Sequence, residues 1–172
     1  MKENLELRVR EIRKSDCKKI SESFQKQGWN KPILQYERYL EFQEKRERDV
    51  IIAELNREFA GYLTIKWTSD YELYRKRKIP EIVDFNVLKK YQRLGIGSIL
   101  MDEAEKRIKK ISAYAGIGFG VYKDYGAAQI LYINRGYIPD GNGLVKNSIP
   151  LRYGETVTDY DRSHSFSPII IS

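Results

Sequence analysis

The run from Glu81 to Gly97, EIVDFNVLKKYQRLGIG, places the strongest constraint on what this 172-residue chain can fold into. Its first residues are typical of an apolar strand, and they lead into a turn that contains two glycines. The residues from Ser98 to Lys110 then favour an amphipathic helix, with one side made up of Ile99, Leu100, Ala104, Ile108 and Ile111. A strand, a glycine turn and a helix N-terminus together suit an anion, because unpaired N–H groups and the positive end of the helix dipole meet there.

The glycine spacing separates this turn from the two best-known phosphate loops. The chain has no Gly-x-x-x-x-Gly-Lys-Ser/Thr, and the dinucleotide fingerprint would need a glycine at position 100, where Leu100 stands. A Gly-x-Gly turn by itself is also common punctuation before a helix. The turn therefore indicates an anion site only together with other motifs.

Two such motifs accompany it. The turn Gln92-Arg93-Leu94-Gly95-Ile96-Gly97 resembles the acetyl-CoA pyrophosphate loop of the GNAT family of N-acetyltransferases, whose pattern is Gln/Arg-x-x-Gly-x-Gly/Ala. Upstream, Asp84-Phe85-Asn86-Val87 stands where that family places its fourth strand. Downstream, AQILYINRGY from Ala128 to Tyr137 resembles the family's second motif, Ala-x-x-Leu-Tyr-x-x-x-Gly-Phe/Tyr. The motifs occur in the family's order and separation, and the resemblance covers roughly Leu5 to Ile171.

The resemblance implies acetyl-CoA as the co-substrate and suggests where it binds. It implies that the main chain near Val87 pairs with the pantetheine arm and polarises the acetyl carbonyl, as an oxyanion site does. Where the family often carries an asparagine, this chain departs from the pattern with Tyr125. The co-substrate positions that we predict are Phe85, Val87, Gln92, Arg93, Leu94, Gly95, Ile96, Gly97, Ser98 and Tyr125.

Acetylation of an amine needs a base and an acid. A lysine-like amine has a pKa near ~10 and must lose its proton before it attacks a thioester, while the departing thiolate gains from a nearby donor. The resemblance implies Tyr132 as the acid, with a tyrosine simply packed on the sheet as the alternative. For the base it offers Glu81 first and Asp84 second, directly or through a water. A separation of three residues puts them on opposite faces of a strand.

Composition and charge narrow the partners. The formal net charge of +7 favours an anionic partner, which could be CoA or RNA. Trp29 and Trp67 could stack on bases, but no nucleic-acid motif accompanies them, which argues against such a partner. The densest basic run, Arg75 to Lys78, is either a solvated loop or a contact for the CoA 3′-phosphate or an acidic substrate.

Other chemistries find little support in the sequence. Cys17 is the single cysteine, which excludes an internal disulfide, and His164 is the single histidine, so we predict no zinc or other metal site. No apolar run approaches the ~18 residues of a membrane span, and we expect a cytoplasmic protein.

The remaining pattern predicts a mixed α/β fold in one domain over residues 1–172. The resemblance implies a central mixed, mostly antiparallel sheet of about six to seven strands, about four helices, and a parallel strand-helix-strand unit for the co-substrate. Three glycines on one face of a predicted strand, Ala115 to Val121, indicate that something packs closely there, either a ligand or a helix. The other predicted elements are strands near Leu5–Val9, Val50–Leu55, Phe59–Thr68, Ser148–Arg152 and Ile169–Ile171, helices over Asp16–Lys26 and Pro32–Arg46, and a long loop over Ser69–Pro80.

Together these features predict an acetyl-CoA-dependent N-acetyltransferase that works by direct attack of a primary amine, without an acyl-enzyme. A non-catalytic CoA-binding module and a basic RNA-associated protein are the alternatives, and a homodimer is left open. The acceptor is a small-molecule, peptide or protein amine, and fold does not choose among these. The segments expected to choose are Gln27–Tyr39, Ser69–Pro80 and Pro139–Asp161.

Overall fold

The computed structural model describes residues 6–156, 165–166 and 169–171. Within them the chain forms two compact units. The first unit runs to Trp67 and also contains Val83–Arg107, and the second contains Thr68–Ile82 and the residues from Ile108 onward. That residues 1–172 make one domain stays a prediction.

The described α-helices and strands follow one another along the chain with short connections. The helices are α1 (Asp16–Lys26), α2 (Ile33–Glu44), α3 (Glu72–Lys76), α4 (Ile96–Ile108) and α5 (Gly126–Asn134). The strands are β1 (Leu7–Glu11), β2 (Arg48–Leu55), β3 (Glu58–Lys66), β4 (Glu81–Val87), β5 (Ala115–Ile117), β6 (Ile138–Pro139), β7 (Val145–Lys146), β8 (Ile149–Pro150), β9 (Ser165–Phe166) and β10 (Ile169–Ile171).

The first unit is built on an antiparallel meander. β1 pairs with β2 and β2 pairs with β3, with Leu55 opposite both Leu7 and Glu58. Asn56 and Arg57 connect β2 and β3 with φ values of 50° and 67°, the left-handed geometry typical of a two-residue hairpin turn. The strands predicted near Val50–Leu55 and Phe59–Thr68 are therefore confirmed, and a two-residue turn joins them as a hairpin.

An aromatic core fills this unit between the meander and helices α1 and α2. Phe24, Tyr36 and Tyr62 are completely buried, and the Phe24 ring makes edge contacts with Phe59 and Tyr62 at 5.8 Å between centroids. Such pairs prefer edge-to-face geometry because of the ring quadrupole. The remaining core members are Ile12, Cys17, Ile20, Val50, Ile52 and Leu88.

The second unit contains the parallel pair. Glu81 and Ile82 at the start of β4 pair with Gly116 and Ile117 of β5, and β10 lies antiparallel to both β5 and β6. A separate small sheet has the order β8-β7-β9. The mixed α/β class with mostly antiparallel pairing is confirmed, with five described α-helices where about four were expected.

Several expected boundaries were wrong. The loop predicted over Ser69–Pro80 contains the short helix α3. The ring of Tyr74 in α3 and that of Tyr71, just before the helix, meet edge to face with 4.9 Å between their centroids, and they form a small core with Ile79 and Val145. The strand predicted to continue to Val121 ends at Ile117. In α4 the buried side chains include Leu100, Met101, Ala104 and Ile108, whereas Ile99 and Ile111 are 38% and 72% exposed.

The residues of the basic run make contacts within their own unit. Arg75 donates to the carbonyl oxygens of Ser69 and Asp70, and Lys76 pairs with Glu72 one turn earlier in α3. Arg77 lies over the Tyr114 ring at 5.6 Å. Within the described ranges, no helix is both long and apolar enough to cross a membrane.

Candidate active site

The predicted phosphate-binding turn lies between β4 and α4 in the first unit. A single 3-10 turn at Lys89–Tyr91 follows β4, the residues Gln92 to Gly95 are exposed, and α4 begins at Ile96. Gly95 has a φ of +79°, and nothing lies within 4 Å of the position that a Cβ would take. The first N–H groups of α4, which have no acceptor within the helix, therefore start beside an open turn.

Positive side chains lead into this turn. The Lys89 ammonium lies 5.5 Å from the centre of the Trp29 ring, and the Lys90 ammonium lies 4.4 Å from that of Tyr91. The Lys89 backbone N–H donates to the Gln27 side chain at 3.0 Å, which fixes the start of the turn on the end of α1. An exposed helix N-terminus, a left-handed glycine and adjacent cations fit a pyrophosphate.

Asp84, the second candidate base, lies at the centre of a polar cluster in the first unit. Its carboxylate accepts hydrogen bonds from five side chains among the described residues. Lys31 and Asn86 donate to Oδ1 at 2.9 and 2.8 Å, Gln35 and Tyr39 donate to Oδ2 at 2.9 Å, and Tyr62 makes a short hydrogen bond to Oδ2.

These partners determine the protonation state of Asp84. Burial alone would raise the pKa of the carboxyl, but the Lys31 charge and the hydrogen bonds from Tyr62, Lys31 and Tyr39 outweigh it and hold that pKa below its ordinary value. Burial, followed by the charge of Asp84, raises the pKa of Tyr39 and of Tyr62. Asp84 is therefore an anion surrounded by protonated donors.

Glu81, the first candidate base, has a different environment in the second unit. The buried Ser69 hydroxyl donates to its Oε2 at 2.5 Å, and the same Ser69 oxygen accepts the Tyr71 N–H at 3.0 Å. Glu81 itself is half-buried. The Ser69 hydroxyl helps to orient this carboxylate, and a positioned carboxylate is a group that can serve as a general base.

Tyr132, the candidate acid, lies on α5 and is 4% exposed. Its ring is 5.9 Å from that of Phe119 and 6.0 Å from that of Tyr137. Burial, with a smaller contribution from Tyr125, raises the pKa of its phenol, so the hydroxyl keeps its proton at neutral pH. The protonated phenol can therefore donate a hydrogen bond to a developing thiolate.

The glycines after α4 contact aromatic rings within their own unit. A Cβ at Gly116 would lie 2.2 Å from the Tyr74 ring, and one at Gly120 would lie 2.4 Å from the Tyr125 ring. Tyr125, predicted to contact the co-substrate, thus packs on Gly120, and Gln129 donates to the Gly120 carbonyl at 3.0 Å. The close neighbours of these two glycines are therefore rings that belong to helix α3 and to the start of α5, as the helix alternative predicted.

The sequence did not predict the partners of either acid. Lys31, Gln35 and Tyr39 belong to the segment expected to select the acceptor, yet nothing in their spacing pointed to Asp84. Ser69 stood only at the start of a predicted loop. In the described residues no group of three or more His, Cys, Asp or Glu side chains is arranged to hold a metal ion, and His164 lies outside those residues.

Comparison with known proteins identifies the family. The model of the Acetyltransferase (GNAT) family matches residues 11–137, a range that includes the glycine turn and the motif around Tyr132. The chain belongs to the GNAT acetyltransferase family. A search of curated protein sequences found no match.

Solved structures share the GNAT fold with this member of the family. An N-acetyltransferase from Staphylococcus aureus Mu50 superposes with a TM-score of 0.72 at 14% identity, covering 96% of this chain and 98% of that one. The ribosomal-protein-alanine N-acetyltransferase from Brucella melitensis gives 0.67 at 16%, covering 95% and 98%. The yncA acetyltransferase from Salmonella typhimurium, solved with its cofactor acetyl-CoA, gives 0.63 at 17%, covering 96% and 92%.

Family membership establishes the general chemistry. GNAT proteins are acetyltransferases, so the general activity of this chain is acetyl transfer. Acetyl-CoA is the co-substrate, as the sequence predicted. The open turn before α4 fits that co-substrate.

Proposed function

We propose that this GNAT protein is an N-acetyltransferase that transfers the acetyl group of acetyl-CoA directly to a primary amine. The observation that carries the proposal is the exposed turn with left-handed Gly95 at the start of α4. This turn lies within the range that matches the GNAT family. Glycine there keeps the main chain open to a pyrophosphate.

Glu81 is the base in this proposal, and Asp84 is not. The Asp84 carboxylate is already engaged by five donors, so it offers an incoming ammonium no vacant lone pair and little affinity for a proton. Glu81 is half-buried and is oriented by Ser69. It can remove a proton from the acceptor either directly or through a water.

The reaction balances with one base and one acid. Glu81 takes a proton from the acceptor ammonium, and the freed nitrogen lone pair forms a bond to the acetyl carbonyl carbon. The carbon–sulfur bond then breaks, and Tyr132 protonates the departing thiolate. The nitrogen sheds its second proton as the amide forms, which restores the tyrosine, so that the products are an amide, CoA and one net proton.

A protein or peptide amine is the acceptor class that the comparisons favour. The Brucella melitensis protein of similar fold acts on a ribosomal-protein alanine, as its name states. We therefore propose a peptide N-terminus as the first acceptor to test. Small alkylamines and polyamines form the comparison set, because the fold by itself does not fix the acceptor.

The test has a binding step and a turnover step. Acetyl-CoA should raise the thermal midpoint of unfolding, and thiol release should follow when an acceptor from a panel of alanine-terminated peptides, lysine peptides, polyamines and small amines is added. Absence of stabilisation at saturating acetyl-CoA would contradict the proposal. Stabilisation without turnover on any amine would identify a CoA-binding module instead.

Two substitutions assign the roles. Tyr132→Phe and Glu81→Gln should each lower kcat about 10²-fold or more, the usual effect of removing a general acid or base, with little change in acetyl-CoA affinity. Glu81→Gln should also remove the acidic limb of the pH profile. Tyr114→Phe and Glu72→Gln are matched controls in the same unit. An unchanged kcat would assign Tyr132 to packing and Glu81 to a surface charge.

A further inference from the structure

The main chain of β4 bends at Asp84. Asp84 has a φ of 51°, which lies in the left-handed region. Few residues other than glycine, asparagine and aspartate adopt that region, and it is unusual inside a strand such as β4. Such a conformation costs free energy and persists only where the surroundings fix it. The residues directly after it, Phe85 to Val87, are those whose main chain is predicted to meet the pantetheine arm.

The neighbouring strand holds the end of β4 from one side. A Cβ at Gly61 of β3 would lie 2.7 Å from the Asn86 carbonyl oxygen and 3.0 Å from the Val87 Cα. The Leu88 N–H donates to the Ala60 carbonyl at 2.9 Å. Glycine at position 61 therefore allows the main chain of β3 to approach β4 more closely than any other residue would.

The Asp84 carboxylate holds the main chain at the bend itself. Its donors come from three places: Tyr62 from β3, Asn86 from β4 itself, and Lys31, Gln35 and Tyr39 from the segment Gln27–Tyr39. That segment is the one expected to select the acceptor. One carboxylate thus links the acceptor-selecting segment to the strand that leads into the co-substrate turn.

Lys31 makes this link difficult to replace. Its ammonium lies 2.9 Å from Asp84 Oδ1 and 3.1 Å from the Tyr62 hydroxyl, and 5.4 and 5.6 Å from the centres of the Phe24 and Tyr62 rings. The Lys31 and Asp84 side chains are only 19% and 21% exposed. Without Asp84 the ammonium would remain among aromatic rings and lack its counter-charge.

We propose that Asp84 is a positioning residue, which fixes both the main chain of β4 at Phe85–Val87 and the acceptor-selecting segment through Lys31, Gln35 and Tyr39. The inference rests on the proposed function, because the readout is acetyl transfer. It also assigns the polar cluster to the reaction without making Asp84 the base. A change at Asp84 should then alter co-substrate affinity and acceptor preference together.

The test uses Asp84→Asn, Lys31→Met and the double variant in the full chain. Asp84→Asn should raise KM for acetyl-CoA and lower kcat/KM about tenfold or more, since small displacements of reacting groups have effects of this order. Its preference between two acceptors should shift. Lys31→Met added to Asp84→Asn should recover part of the loss, because it removes the unpaired charge.

The pH profile separates positioning from catalysis. The titratable groups that face the carboxylate are Lys31, Tyr39 and Tyr62, with Tyr36 behind Tyr62. Burial raises the pKa of all three tyrosines, so they do not titrate near neutrality. A positioning role predicts that Asp84→Asn keeps the acidic limb of kcat/KM. Loss of that limb, with no recovery in the double variant, would show that Asp84 is the base and overturn the proposal.

A milder pair of variants covers the case in which Asp84→Asn does not fold. Tyr39→Phe removes one donor to Asp84 and should raise KM for acetyl-CoA about two- to fivefold, the effect expected of one hydrogen bond. Tyr36→Phe makes the same chemical change on the same helix at a hydroxyl that contacts Tyr62 rather than Asp84. If the two variants change KM for acetyl-CoA equally, or if Tyr39→Phe lowers the thermal midpoint of unfolding without changing KM, the polar cluster only stabilises the fold. Either result would contradict the inference.

The failure of the two proposals can be distinguished. Acetyl-CoA affinity is measured by thermal stabilisation in every variant, independently of turnover. A wild-type protein that acetyl-CoA does not stabilise contradicts the proposed function, whatever the variants do. If acetyl-CoA stabilises the wild type and Asp84→Asn equally well, the positioning role alone is contradicted.

Discussion

The two candidate bases show how a carboxylate's neighbours decide its use. Asp84 and Glu81 stand three residues apart in one strand, and the sequence offered both for the same task. Five donors hold Asp84 as an anion, and the Ser69 hydroxyl donates to Glu81. A proton acceptor must have affinity for a proton, and each hydrogen bond to the charged form lowers that affinity.

Asp84 should make stability depend on pH in acid. Its pKa is lower in the folded than in the unfolded protein, where it is about 3.9. Its contribution is therefore complete above the unfolded pKa and is lost as pH falls through the folded pKa. Removing one partner of a largely buried ion pair should cost about 3–5 kcal/mol of unfolding free energy.

Thermal unfolding of the wild type and of Asp84→Asn between pH 3 and pH 7 measures this effect. The difference in midpoint should be constant above about pH 5 and should narrow below about pH 4, where the Asp84 carboxyl of the unfolded wild-type chain begins to take up a proton while that of the folded protein stays ionised. Glu58→Gln, at an exposed position in the same unit, is the control and should show no such narrowing. A difference that grows in acid would mean that the folded pKa is raised.

At the scale of elements, the proposed co-substrate site depends on the junction of β4 and α4. The strand bends at Asp84, the 3-10 turn at Lys89–Tyr91 follows, and the left-handed Gly95 starts the helix. Each of these steps uses backbone geometry rather than a reactive side chain. Main-chain N–H groups can therefore meet a pyrophosphate in many sequences that share only the glycines.

Gly95→Ala should weaken acetyl-CoA binding more than it weakens the fold. Gly28→Ala is its matched control, because Gly28 and Gly95 have φ values of +82° and +79°, and at both an added methyl group would have nothing within 4 Å. Both should lose about 1 kcal/mol of stability, since alanine is strained at positive φ. Only Gly95→Ala should raise KM for acetyl-CoA. Similar KM values for acetyl-CoA in both variants would show that the turn at Gly95 does not bind the co-substrate.

The glycines after α4 show that close packing of side chains can produce the same sequence pattern as a ligand site. Three glycines on one face of a predicted strand indicated a close neighbour. The strand ends at Ile117, and the rings of Tyr74 and Tyr125 lie against Gly116 and Gly120. Tyr74 is distant in sequence from Gly116, so no spacing rule could have identified it, whereas Tyr125 follows Gly120 closely in the chain.

At the scale of the whole molecule, the formal net charge of +7 bears on the choice of partner. CoA and RNA are both polyanions, so charge alone does not separate an acetyltransferase from an RNA-associated protein. The family match decides for acetyl transfer. The excess positive charge then favours association with the negatively charged co-substrate.

Acetyl-CoA affinity should fall as salt is added. Between about 20 and 300 mM NaCl the apparent dissociation constant should rise roughly three- to tenfold, because the Debye length shortens from about 20 Å to about 6 Å. Acetyl-dephospho-CoA, which lacks the 3′-phosphate, should show a shallower dependence. A short single-stranded RNA that stabilises the protein while acetyl-CoA does not would favour the RNA-associated alternative.

The sequence by itself determined the family, the co-substrate, the strand-turn-helix order and the mixed α/β class. These rest on local signals: glycine spacing before a helix, periodicity 2 against 3.6, and short motifs whose backbone geometry is fixed by neighbours in the chain. The hairpin at Asn56–Arg57 and the start of α4 were predictable to within a residue or two for the same reason.

Only the tertiary structure decided what each acidic side chain can do. The donors to Asp84 lie between 2 and 53 positions away in the sequence, and Ser69 lies 12 positions from Glu81. The protonation of a carboxylate depends on burial and on donors brought near it by folding, which the spacing of residues along a chain does not specify. The same folding made Asp84 an anchor for the strand and left Glu81 as the proposed base.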